Sequence, residues 1–239
     1  MKIINYKKIL SFSFLLVFFL TILFSSPQKV SAAGEFITTW KTDNPGTSNS
    51  TSITIPTTGS GYNYDVDWNN DGTFDQFGIT GNVTHDFGVA GIYTIQIRGN
   101  FPRIYFGGGG DRQKILSVDQ WGTIAWTSMN NAFRGCSNLA IIATDSPDLS
   151  LVTDTSFMFY QVASANIDVS TWDVSSVTNM SYLFYGVTLA NPDVSEWDVS
   201  SVTRMDYMFF GATSANPDVS EWDVSSVTDM SYMFYSATS

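Results

Sequence analysis

Asp67, Asn69, Asp71 and Asp75 fall at positions 1, 3, 5 and 9 of a run that carries Gly72 at position 6. That is the front of a calcium loop, because a hard cation wants converging oxygens and glycine permits the sharp backbone turn. Position 12 is Gly78 rather than an acid, so any binding is expected to be weak. The plainer reading of the same residues is a polar hairpin, with Asn69-Asn70-Asp71-Gly72 as turn chemistry and Asp67 capping it. Calcium is the one cofactor that the residues suggest.

Other reactive groups are sparse. His85 is the only histidine and sits between Thr84 and Asp86 in an alternating run. A Ser-His-Asp or Cys-His arrangement would have to use it, but a packed imidazole is its ordinary role there. Cys136 is alone, which excludes an intrachain disulfide and suits a buried small hydrophobe. Acids are abundant, yet they recur in columns: Asp168, Asp193, Asp218 and Asp173, Asp198, Asp223. A repeat copies any carboxylate pair into every unit, whereas a glycosidase needs one singular pair. No enzyme activity is expected. Asp173, Asp198 and Asp223 are expected to bond the backbone N–H groups of their own turns, offsetting the repulsion of stacked like charges.

The columns arise from a 25-residue repeat. The stretch 166–190 matches 191–215 at 17 of 25 positions, and a third copy starts at Asn216. Trp172, Trp197 and Trp222 share one column, and Phe159, Phe184, Phe209 and Phe234 another. A fixed period of this size marks units that bury their apolar faces against their neighbours. Within a unit, Val194 to Val199 alternates like a short strand. Val202, Met205, Met208 and Phe209 form the apolar stripe of a two-turn helix, with Ser200 or Ser201 as N-cap and Gly211 after its end. Asn166, Asn191 and Asn216 are placed to bridge adjacent units.

Upstream, short alternating runs such as 52–55 and 93–97, separated by Gly, Asn, Pro and Thr clusters, read as a small all-β module. Gly107 to Gly110 forms a joint. The expected organisation is a signal peptide over 1–32, a PKD-like β-sandwich over 33–106, a linker and solenoid entry over 107–127, with 115–122 as an entry strand and cap, and a solenoid over 128–239. Ser239 falls in mid-repeat, so a fragment of a longer protein is expected.

The phrase Trp-Asp-Val-Ser-Ser-Val-Thr-x-Met-x-Tyr-Met-Phe at 197–209 and 222–234 resembles the BspA-type leucine-rich-repeat surface proteins of bacteria. Val66 to Gly72, followed by Thr84 to Phe87 and Gly91 to Ile95, resembles a PKD-like immunoglobulin-type module. Together these resemblances imply a mixed fold: an all-β sandwich followed by a leucine-rich-repeat-like α/β solenoid. They also imply adhesion rather than catalysis.

Lys2, Lys7 and Lys8, the apolar run from Ile9 to Phe24 and Val30-Ser31-Ala32 make a cleaved secretory signal. Its removal takes four of 11 basic residues and no acid, leaving 7 against 22 and a net charge of −15. That sign opposes nucleic-acid binding and a grip on anionic lipid. The mature chain is expected to be secreted or surface-displayed, without a transmembrane span, and to bind an extracellular protein or glycan. Specificity is expected at exposed positions that differ between copies: Thr171, Glu196 and Glu221, and Asn179, Arg204 and Asp229. The competing reading is a carbohydrate-associated region of a larger secreted enzyme, or a structural envelope element.

Overall fold

The computed structural model describes residues 34–164 and 166–238, which fall within one compact unit. The expected signal peptide lies outside them. The strands are β1 (Phe36–Lys41), β2 (Ser52–Ile55), β3 (Asn63–Asp67), β4 (Gln76–Ile79), β5 (Val83–Asp86), β6 (Ile92–Asn100), β7 (Ile115–Gln120) and β8 (Ala140–Ile141). Six of them form one sheet in the order β4-β3-β6-β1-β7-β8, and β2 pairs with β5 separately. Pairing is antiparallel except between β7 and β8. The alternating runs at 52–55 and 93–97 fall on β2 and β6. The segment 115–120 is a strand, and it pairs with β1.

Aromatic side chains carry one core from this sheet into the repeats. Phe36 stacks on Trp121 with centroids 5.7 Å apart, and Trp121 meets Trp172 edge-on at 5.3 Å. Ile53 and Ile55 of β2 are buried in the same cluster. Two buried charges fix the joint between the modules. The Asp111 carboxylate accepts backbone N–H bonds from Thr47, Ser48 and Thr54 at 2.8, 2.9 and 2.7 Å. The Lys114 ammonium donates to the carbonyls of Asn49 and Ser52 at 2.7 and 2.9 Å. Burial pushes Asp111 up, but the bonds from Ser48 and Thr54 outweigh it and hold the carboxyl below its ordinary value. Burial lowers the Lys114 pKa.

The expected α/β leucine-rich-repeat solenoid is corrected by the secondary structure: the described residues contain no helix and the fold is all-β. The stripe of Val202, Met205, Met208 and Phe209 is real, but turns produce it. The N–H groups of Met208, Phe210 and Ala212 bond three residues back, to Met205, Tyr207 and Phe209. Those of Met205, Tyr207, Phe209 and Gly211 leave the coil for the carbonyls of Asp229, Ser231, Met233 and Tyr235, at 2.8–2.9 Å. An α-helix would turn these groups onto its own i−4 carbonyls and leave none for the neighbouring coil. Tyr207 sits at φ 58°, which interrupts any right-handed run, and Phe157, Tyr182 and Tyr232 repeat that conformation. Gly186 and Gly211, at φ 66° and 64°, occupy a second left-handed position in each coil. Neighbouring coils are further joined by isolated parallel bridges, Asp154 to Asn179, Asn179 to Arg204 and Arg204 to Asp229.

Side-chain columns follow this backbone register. Phe159, Phe184, Phe209 and Phe234 stack with successive centroid distances of 5.7, 5.3 and 5.4 Å. Phe159, Phe184 and Phe209 are fully buried, as are Met180, Met205 and Met208. Trp172 and Trp197 are buried and Trp222 is half-buried. Thr178, Thr203 and Thr228 each send the hydroxyl to the threonine carbonyl of the preceding coil at 3.0 Å. The asparagine column contributes one such link, from the Asn216 N–H to Asn191 Oδ1 at 2.7 Å.

Candidate functional site

The residues of the suggested calcium loop meet in the turn between β3 and β4, and their oxygens are directed at backbone N–H groups. Asp67 is fully buried; its Oδ1 accepts from Asn69 and Asp71 at 3.2 Å each, and its Oδ2 from Gly72 at 2.6 Å. Asn69 Oδ1 accepts from the Asp71 N–H, Asp71 Oδ1 from Thr73 and Asp75 Oδ2 from Trp68. This is the bonding of a polar hairpin built from successive Asx turns. Among the described residues no group of three or more His, Cys, Asp or Glu side chains converges on a point.

His85 on β5 lies parallel to Trp68 at 4.5 Å and edge-on to Phe87 at 4.6 Å. Partial burial lowers its pKa, against the opposing charges of Asp75 and Asp86. Cys136 is fully buried, and burial pushes its thiol well above the usual range, so it is not poised as a nucleophile.

Both aspartate columns are satisfied within their own turns. Asp168, Asp193 and Asp218 accept the backbone N–H two residues on, from Ser170, Ser195 and Ser220. Asp173, Asp198 and Asp223 do the same with Ser175, Ser200 and Ser225. The serine hydroxyl adds a bond of 2.7 Å at Asp173 and Asp198. These serine bonds hold Asp173, Asp198 and Asp223 below the ordinary carboxyl pKa, despite the like charge of the next coil beside Asp173 and Asp198.

The six expected partner positions divide into two kinds. Asn179, Arg204 and Asp229 form the inter-coil bridges, and their side chains are engaged locally. Asn179 accepts from Ser181 and Asp229 from Ser231, while Arg204 pairs at 3.0 Å with the buried Asp206. Thr171 bonds Ser146 across the coil boundary. Glu196 and Glu221 are exposed and share an open depression of about 300 Å³ with Asp198 and Asp223. The structure therefore concentrates free negative charge on the glutamate column, not on the bridge column.

Two outer aromatic columns escaped sequence reasoning. Phe157, Tyr182, Tyr207 and Tyr232 stack at 4.5, 4.7 and 5.0 Å. Tyr160, Tyr185, Phe210 and Tyr235 stack beside them at 4.6, 4.8 and 5.2 Å. Most of these rings are half-buried, and the last pair is exposed. The Arg134 guanidinium lies over the first ring of each column, 5.2 Å from Phe157 and 4.9 Å from Tyr160. Their 25-residue spacing was the available signal, hidden by the assumption that the segment was a helix.

A family model described as Mycoplasma protein of unknown function, DUF285, matches residues 114–239, just over half of the 239-residue chain. No curated protein and no solved structure matches. The resemblance to BspA-type leucine-rich-repeat proteins with a PKD-like module is corrected by these findings. The match is to DUF285 alone, no leucine-rich-repeat match accompanies it, and the described residues contain no helix. Among the described residues no helix is long and apolar enough to cross a membrane.

Proposed function

This chain belongs to the DUF285 family of Mycoplasma proteins of unknown function, and from that premise we propose an exported recognition protein that binds through its repeat wall. One observation carries the reading: the valine, tryptophan and phenylalanine columns that face the core repeat unchanged from coil to coil, while some exposed positions between them vary. Val169 and Val194, Trp172 and Trp197, and Phe159, Phe184 and Phe209 are buried and recur in the last coil as Val219, Trp222 and Phe234, whereas the exposed Thr171, Glu196 and Glu221 differ. A register kept constant by the core lets outer side chains change without disturbing the stack. The glutamate column favours a partner with a basic face, attracted over a Debye length of about 8 Å at physiological salt.

Binding rather than catalysis is supported by the internal bonding of the repeated aspartates and by the ring-packed His85. The test is retention of the full-length chain on immobilised matrix proteins and glycans, wild type beside Glu196→Lys/Glu221→Lys. A salt-sensitive partner whose capture falls about tenfold in the double variant supports the reading. A wild-type chain that retains nothing above an albumin control overturns it.

A further inference from the structure

Seven basic residues lie among the described residues, and two of them share a cavity without an acidic partner. Lys41, Arg98 and Arg204 form ion pairs with Asp43, Asp65 and Asp206. Lys114 is buried on backbone carbonyls, and Arg103 lies over the Tyr105 ring and donates to the Asn130 carbonyl. Arg112 and Arg134 remain. They line one open cavity of about 280 Å³ with Gly107, Gly108, Tyr160 and Gln161. Asp111, next in the chain to Arg112, is turned away onto Thr47, Ser48 and Thr54.

Packing on glycine places both arginine side chains on this cavity. A Cβ at Gly135 would stand 3.0 Å from Arg112 Cδ, and one at Gly108 would stand 3.5 Å from Arg134 Nε. Arg112 thus packs tightly on the glycine next to Arg134, and Arg134 lies in contact with Gly108, whose Cα stands 3.8 Å from where a Gly135 Cβ would be. Both glycines have positive φ, 73° and 79°, a backbone conformation that glycine adopts without strain. Arg134 is steadied further by Asn131 Oδ1 at 3.2 Å and by the rings of Phe157 and Tyr160. Two cations held in one wall of an acidic chain, with no carboxylate between them, are stabilised by an oxyanion that accepts from both forks.

We propose that this cavity is a binding site for a small oxyanion-bearing ligand, the carboxylate or sulfate group of an acidic sugar. Its volume suits a single sugar unit, and Tyr160 and Gln161 line the same cavity and supply polar groups for ring hydroxyls while the arginines take the charge. The site lies outside the glutamate column and does not rest on the repeat-wall reading.

The test is calorimetric titration of the full-length chain with sodium glucuronate, sodium sulfate and glucose at constant ionic strength. Saturable binding of glucuronate, absent with glucose and weakened about tenfold in Arg112→Gln and in Arg134→Gln, is the expected result. Arg112→Lys keeps the charge but loses the fork, and should fall between wild type and Arg112→Gln. Sulfate binding as tight as glucuronate assigns the affinity to the oxyanion alone and overturns the sugar component. Absence of saturation by either anion overturns the site, as does unchanged affinity in both glutamine variants with wild-type melting curves.

Discussion

The indole Nε1 of Trp197 donates to the Val169 carbonyl of the preceding coil at 3.0 Å, and Trp222 repeats the bond to Val194. The tryptophan column is thus a polar staple between coils as well as apolar filling. Trp197→Ala should cost about 3–5 kcal/mol, most of it from the lost volume. Trp197→Phe should lose a smaller amount, with about 0.5–1.5 kcal/mol of it from the lost inter-coil bond, because the Val169 carbonyl keeps the Trp172 N–H at 3.2 Å. Urea unfolding of the two variants checks the order. Equal midpoints for Trp197→Phe and wild type would remove the staple.

Tyr207 discriminates the observed coil from a helix. At φ 58°, alanine remains strained and glycine does not. Tyr207→Gly is therefore expected to be more stable than Tyr207→Ala by about 1 kcal/mol, although both lose stacking with Tyr182 and Tyr232. In a helix interior the order reverses by about the same amount. Thermal denaturation of the pair decides, because the shared loss of the ring cancels in the comparison.

Asp67 is expected to matter to folding with or without calcium. Its buried carboxylate accepts three backbone N–H groups, and Asp67→Ala removes the acceptor of the Asn69 and Gly72 N–H groups, while Asp71 keeps Asn69 Oδ1, at a cost of about 2 kcal/mol. Melting curves of wild type and variant in calcium and in chelator test this. The expected gap is the same in both media. A wild-type midpoint that rises with calcium, through a rise absent in the variant, would restore the metal loop.

Acid should weaken the protein in two windows. The His85 pKa is lowered from about 6.5, so its contribution is complete above that value and declines as pH falls toward the folded pKa. Asp173 and Asp198 are lowered from 3.8, so theirs is complete above pH 3.8 and is lost as pH falls through the depressed values. His85→Gln should flatten the upper limb of the melting profile and leave the lower one. Ser175→Ala/Ser200→Ala should raise both aspartate pKa values, read by carboxyl carbon NMR titration.

The 25-residue spacing alone identified the inward Trp, Phe and Met columns, because a side chain buried in every unit must recur at the period. It also pointed to Asp-Ser turns, which are local: a carboxylate reaches the N–H two residues on whatever the rest of the chain does. The helix expectation failed for a physical reason. Turns bonded three residues back place Val202, Met205, Met208 and Phe209 on one side just as a helix would, and the stripe is silent about the remaining N–H groups.

Those groups choose between a carbonyl of their own segment and one in the next coil, a choice decided by whether that coil stacks in register. Only the tertiary structure made it, and with it the left-handed tyrosines and the outer ring columns. It also paired Gly108 with Arg134 and Gly135 with Arg112, which no local pattern links. Composition and period determined what must be buried; packing between distant segments decided which donors, rings and charges meet.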